Sequence, residues 1–214
     1  MKLKLINKYV LPSPAGAFYC VSSSDAEPVK YFLQQLFLST ESPYLDNDLI
    51  ERFIVDSDSK VEEILFHIQE LQWLQVFERA QSLPNGMIEE VLPKVLKKLS
   101  SEAKVLLADG QGFYLSGYGF SHEAAEELSA LSGDLLSMYS RHKGVIRGNL
   151  NIKSNAFALV DAAGYSQLGF WPIHIGDAVF ILIISGVPRL DQESFVLLVW
   201  ILHKRYFGDN EIQA

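Results

Sequence analysis

The chain has 214 residues, 49% of them hydrophobic and 12% aromatic, which is enough to bury a sizeable core and excludes a disordered polymer. Its net charge of −8 is spread evenly: residues 1–104 carry 11 Lys and Arg against 15 Asp and Glu, and residues 105–214 carry 7 against 11. Nucleic-acid affinity rests largely on cations that neutralise phosphates, and no basic half supplies them, so DNA binding as the main task is disfavoured.

Cys20 is the only cysteine, which excludes an intrachain disulfide framework and fits a reducing, cytoplasmic compartment. The opening MKLKLINKYVLPSPAGA imitates a secretory signal, but Lys8 interrupts its apolar stretch and Pro12 and Pro14 close it. No targeting segment is therefore expected. The longest strongly apolar run, Ala178 to Ser185, is far short of a membrane span, so no membrane insertion is expected either.

In chain order, AFYCVSS reads as a short strand. A helix, VKYFLQQLFLS, follows Pro28 with Val29, Phe32, Leu33, Leu36 and Phe37 on its apolar side. DLIERFIV is a second helix with Leu49, Ile50, Phe53 and Ile54 on one face, and DSDSK breaks the chain after it. VEEILFHIQELQWL is a third, apolar at Val61, Ile64, Leu65, Ile68 and Leu71; QVFERAQSLPNGM then reads as a strand and a turn at Pro84-Asn85-Gly86. Three helices followed by a strand and a turn resemble a winged-helix module, and equally a small helical domain of no special kind. In the first case the third helix would be the one to enter a DNA groove. Here Lys60 and Arg79 stand against Glu62, Glu63, Glu70 and Glu78, a charge that suits docking of a protein better.

From Met87 the pattern sharpens. MIEEVLPKVLKKLSS is a helix with acids early and lysines late, as its dipole favours, and Pro93 inside it. KVLLADG and GFYLSGYG are two strands around a tight turn. HEAAEELSALSGDLLSMYSRHKG is a long helix capped by Ser121 and ended by Gly144. Its stripe of Ala124, Leu128, Leu131, Leu135 and Met138 is expected to face the core, so that Leu131→Asp should unfold this half. AFALVDAAGYSQLGFWPI gives a second pair of strands, DAVFILIISG a fifth and central one, and DQESFVLLVWILHKRYFG a last helix.

The glycines of AKVLLADGQGFYLSGYGF raise the question of a phosphate loop. Gly110-x-Gly112 is followed by Leu115 and Gly117-x-Gly119 by His122 where the dinucleotide fingerprint needs glycine, and no G-x-x-x-x-G-K-[ST] occurs. LLADGQGFYLSG and ALVDAAGYSQLG share a plan instead: apolar strand, Asp, two residues, Gly, aromatic, strand. Asp109 and Asp161 thus read either as turn starters or as paired carboxylates for acid–base or metal chemistry, with Gly112 and Gly164 in left-handed positions. His67, His122, His142, His174 and His203 show no ligand spacing, Ser116 lacks the flanking glycine of a nucleophile elbow, and Cys20 has no evident partner. No catalytic, cofactor-binding or metal-binding residue is assigned, and no enzyme is expected. Apolar surface is in surplus, however. Phe195 to Leu202 are apolar without interruption, which calls for cover by the N-terminal module or by another subunit. Phe170 and Trp171 must point to opposite faces of one strand.

The order helix, strand, strand, long helix, three strands, helix resembles the roadblock/dynein-light-chain family, a relative of the longin and profilin-like folds. The likeness runs from about Met87 to Gly208. It rests on the LLADGQGFYLSGYG hairpin, the small-residue-rich AAEELSALSGDLLSM helix and the FALVDAAGYSQLGF hairpin. It implies, over 87–214, a sandwich of a five-stranded antiparallel sheet with flanking helices; with the helical, winged-helix-like domain read separately over 1–86, the expected fold class is α+β. The likeness further implies a non-enzymatic regulatory platform that needs no cofactor. Members join sheets edge to edge at the strand after the long helix, here Ala156 to Val160, with the long helices, here Ser121 to Lys143, alongside. They commonly bind small Ras-like GTPases. A homodimer with a protein partner, of which a small GTPase is the family's usual class, is the resulting expectation. The alternative is a transcriptional or signalling regulator whose winged-helix module contacts DNA or a protein while its profilin-like half senses a ligand.

Overall fold

In the computed structural model, residues 6–55 and 61–207 are described; the break expected at 56–60 lies outside them, as do the side chains of Phe53, Ile54 and Val61. The chain divides into two compact units, Met1–Asn85 with Asp191–Ala214, and Gly86–Leu190. Among the described residues no helix is long and apolar enough to cross a membrane.

In the first unit, strand β1 (Tyr9–Pro12) pairs antiparallel with β2 (Leu74–Phe77), Tyr9 opposite Phe77 and Pro12 opposite Leu74. Between them run α1 (Pro14–Val21), α2 (Pro28–Gln35), α3 (Asn47–Val55) and α4 (Val61–Glu70). The segment AFYCVSS is thus helical and not the expected strand. Ser13 stands in extended conformation and its hydroxyl oxygen accepts from the Gly16 N–H at 3.2 Å, while Pro14 occupies the first helical position. A cap and a proline with preset φ outweigh the strand preference of Phe18, Tyr19 and Val21. Phe32, Leu33, Leu36 and Phe37 are buried as the periodicity of the next segment requires, and so are Leu65 and Ile68 of α4.

The last helix, α7 (Glu193–Tyr206), which the sequence places at the end of the second module, packs in this first unit. Its ring of apolar residues meets α1 through Phe18 and Phe195, and the Trp200 indole N–H donates to the Ser39 carbonyl at 2.8 Å.

The second unit begins with α5 (Ile88–Leu96), which runs through Pro93 into a tight turn, Lys97–Leu99. Its five strands are β3 (Val105–Asp109), β4 (Tyr114–Tyr118), β5 (Phe157–Val160), β6 (Ser166–Ile175) and β7 (Ala178–Ser185). They form one antiparallel sheet in the order β4-β3-β7-β6-β5, with the apolar β7 in the middle. Ile183 lies between Leu106 of β3 and Phe170 of β6, and these three build a core with Ala108, Ile181 and Ala125. Each large side chain in it contributes about 2 kcal/mol by leaving water. Phe170 faces this core. Trp171, on the opposite face, lays its ring over Gly169 of its own strand, where a methyl group would overlap it. That stacking covers the glycine and accounts for the second aromatic.

Helix α6 (His122–Lys143) packs on the core, with the Ser121 hydroxyl oxygen accepting from the Ala124 N–H at 3.3 Å. Its closest face differs from the expected stripe. Ala125, Ser129, Ser132, Gly133 and Tyr139 are buried, whereas Leu131 is 43% exposed. The small residues are needed because a side chain on Gly133 would run into the Gln111 carbonyl, and one on Gly112 into the Ser129 carbonyl. The helix therefore approaches the β3–β4 turn backbone to backbone; of the expected stripe, Leu128 and Leu135 do pack half-buried against the core, and Leu131 is turned outward. Gly144 does not end the helical path either. With φ −60° it continues into a wider turn, Gly144–Asn149, and the left-handed residue that breaks the path is Asn151.

Candidate functional site

The glycine-rich stretch is two strands around an Asp-started turn. One Asp109 carboxylate oxygen accepts from the N–H groups of Gln111 and Phe113, both at 2.9 Å, and Gly112 turns with φ +89°. Asp161 does the same with Ala163 at 2.9 Å and Tyr165 at 3.0 Å, and Gly164 turns with φ +86°. The amides that a phosphate loop would offer to an anion are thus committed to a carboxylate. The two aspartates serve separate hairpins, each closing its own turn.

The histidines are dispersed. His122 meets Glu126 at 3.4 Å on the surface, His174 meets the Asn155 amide at 3.2 Å, and His67 and His142 are exposed. Among the described residues no three His, Cys, Asp or Glu stand close enough to hold a metal ion.

Cys20 and His203 do come together, sulfur to Nε2 at 4.0 Å, a pairing no sequence spacing signals. Both are fully buried. Burial pushes the thiol far up, beyond the reach of physiological pH, and pulls the imidazole down to about 4. His203 Nδ1–H donates to the Val199 carbonyl at 3.0 Å, leaving Nε2 as an acceptor facing the thiol. A nucleophilic pair needs the thiolate and a reachable substrate. Two neutral groups sealed between α1 and α7, with Phe37 beside the imidazole, have neither and act as packing.

Near the start of α2 an open cleft of about 330 Å³ is lined by Asp25, Glu27, Lys30 and Tyr31 among others. Lys30 is almost wholly buried, and its ammonium donates to the Ser23 carbonyl at 3.1 Å and hydroxyl at 2.7 Å. The same ammonium lies 5.3 Å from the Tyr19 ring, whose phenol donates to the Glu27 carboxylate. Burial, followed by that acceptor, raises the Tyr19 phenol well above its ordinary range. These bonds tie the loop between α1 and α2 to both helices.

The most unusual feature of the second unit is one margin of the sheet. β5 is an edge strand, FALV, without charge or proline; Leu159 is 63% and Val160 58% exposed. Edge strands commonly carry lysine, proline or inward charges that prevent pairing with another chain. Helix α6 packs chiefly on β3, β4 and β7 and reaches this strand near its own C-terminal end, where Tyr139 meets the Phe157 ring edge-on with centroids 6.2 Å apart. Leu128 and Leu135 are half-buried against the sheet core, whereas Leu131 of the same helix is 43% exposed. An unprotected apolar strand and an exposed leucine on the long helix of the same unit are thus both left uncovered. The sequence showed the apolar composition of both, but not their exposure.

No family model matches the chain, and no curated protein matches it. Among solved structures it is similar to the crystal structure of a Roadblock/LC7 domain from Streptomyces avermitilis. The two share 10% sequence identity over 59% of this chain and 99% of that chain, with a TM-score of 0.36. No residue role passes from that domain to this chain.

Proposed function

We propose that this chain is a non-enzymatic regulatory platform of the roadblock kind, acting in the cytoplasm, which pairs with a second copy of itself through α6 and β5. The observation that carries the reading is the bare edge strand β5, where Leu159 and Val160 are exposed, with Leu131 also exposed on the long helix of the same unit. Pairing two β5 strands would extend the sheet across both copies and cover Leu131 on each α6 helix. In this reading the module that begins at Met87 builds the platform. The helices and ribbon of residues 1–86 are a winged-helix-like unit that docks a protein and not DNA, as the acidic third helix favours. The resemblance of the hairpins and long helix to the roadblock/dynein-light-chain family suggests a small Ras-like GTPase as the bound partner.

Pairing is tested by light scattering on the purified chain beside Leu159→Lys. A dimer that the substitution converts to a folded monomer supports it, and a monomeric wild type overturns it. The partner class is tested by a pulldown with a small GTPase loaded with GDP or with a non-hydrolysable GTP analogue. Retention in either state supports the GTPase reading, and loss in both removes it while leaving the pairing untouched.

A further inference from the structure

Pairing through β5 would leave the opposite edge of the sheet bare. Among the described residues β4 pairs with β3 alone, and its sequence YLSGY holds neither charge nor proline. Phe113, Tyr114, Leu115 and Tyr118 are all exposed on it. Ser116 faces Leu107 and Tyr114 faces Ala108, so a bulge leaves Leu115 unopposed. Helix α5 opens with the exposed Glu89 and Glu90, but the stretch after them is basic. Residues 94–104 carry Lys94, Lys97, Lys98 and Lys104 against Glu102. Glu102 accepts from the Ser185 hydroxyl at 2.6 Å and so is turned toward β7. Lys94, Lys97 and Lys98 are exposed at i, i+3 and i+4, on one side of α5 and its final turn, and α5 lies against β4. Lys97 Nζ sits 4.6 Å from the centre of the Tyr118 ring, and the Lys104 side chain borders Gly119 at the end of the strand.

We infer that β4 is a docking edge for an extended, acidic segment of a partner protein, which adds to the sheet as a further strand. The open backbone groups of β4 bond the incoming strand, Tyr114, Leu115 and Tyr118 cover its side chains, and the lysines meet its carboxylates. An oligonucleotide is the other anionic ligand that aromatic and lysine side chains can take. It is disfavoured because Lys97 already lies over the Tyr118 ring, where a base would stack. The inference stands apart from pairing through β5, since the two edges lie at opposite ends of the strand order.

The full chain is titrated into a short labelled peptide of alternating glutamate and valine. Beside it are run the lysine–valine counterpart, an acidic version interrupted by proline, and a thymidine oligonucleotide. The acidic peptide is expected to bind, the lysine peptide to fail, and prolines to weaken binding by roughly tenfold or more by blocking strand addition. Lys97→Glu combined with Lys98→Glu, both at exposed positions, is expected to weaken the acidic peptide by a similar factor in a chain that stays folded by circular dichroism, with only a small loss of melting temperature from the helix dipole. Leu159→Lys, on the other edge, is expected to change nothing, and hydrogen exchange at Tyr114–Tyr118 to slow when peptide is bound. The inference is overturned by no binding of the acidic peptide, by equal binding to the double-lysine variant, or by indifference to proline. It is also overturned by loss of binding in Leu159→Lys, or by tighter binding of the oligonucleotide.

Discussion

Asp109 and Asp161 each hold two backbone N–H groups through one carboxylate oxygen, and Gly112 and Gly164 follow three residues later with φ +89° and +86°. The two hairpins nonetheless live in different surroundings. β3 lies second in the sheet with Val105 to Ala108 all buried, and its turn presses on the backbone of α6. β5 lies at the edge, exposed from Ala158 to Val160, and nothing stands within 4 Å of where a side chain on Gly164 would begin. One turn motif therefore serves twice, once as part of a packed core and once as the tip of an open margin. The difference teaches that the turn is fixed locally, while its energetic weight is set by what the rest of the chain brings to it.

The comparison is broken most directly at its two glycines. Gly112→Ala combines a strained left-handed φ with a collision against the Ser129 carbonyl and should cost about 3 kcal/mol or more. Gly164→Ala carries the backbone strain alone and should cost about 1 kcal/mol. Urea unfolding of the two variants checks this, and equal losses would show that α6 does not press on the first turn.

A perturbation confined to the first unit sharpens the same contrast. The imidazole of His203 is held down at about 4 in the folded chain by burial, whereas the unfolded chain takes up the proton near 6.5. The unfolded state thus binds more protons between those values. Stability is complete above pH 6.5 and falls by up to about 3 kcal/mol as pH drops toward 4. Unfolding curves across that range should show the loss in wild type and in both glycine variants. The gap between the variants should stay constant, because the sites share no contacts.

Smaller effects are expected at the turn aspartates. Asp109→Ala and Asp161→Ala each free two amides of exposed residues to water and should each cost about 1 kcal/mol, read by urea unfolding. The smallest effect belongs to Leu131. Burial in the core would make Leu131→Asp an unfolding substitution, but at 43% exposure it should change stability by less than about 0.5 kcal/mol, read by thermal melting.

The Leu131 reversal marks the limit of what the chain discloses by itself. The turns were legible because an Asp and a Gly at fixed spacing determine them within five residues, and the apolar β7 announced its central place. The packing face of α6 was legible only in part: Leu128 and Leu135 pack on the core as hydropathy suggests, but the β3–β4 turn demands the small side chains of Ser129, Ser132 and Gly133 and leaves Leu131 outside. α1 was missed because its aromatic, β-type composition hides the Ser13-Pro14 start. The pairing of β1 with β2 and of Cys20 with His203 joins residues far apart in sequence, which no local pattern reveals. The bare edge was half legible: the apolar composition of FALV was visible, but only the sheet order shows that it stands at an edge.

The central claim is that this edge is where two copies meet. Light scattering coupled to size exclusion tests it most directly on the wild type, Leu131→Asp and Leu159→Lys. The account predicts a wild-type mass twice the 24.0 kDa of the chain and folded variants at the single-chain mass. A wild type that runs at 24.0 kDa, or a dimer that both substitutions leave intact, contradicts it.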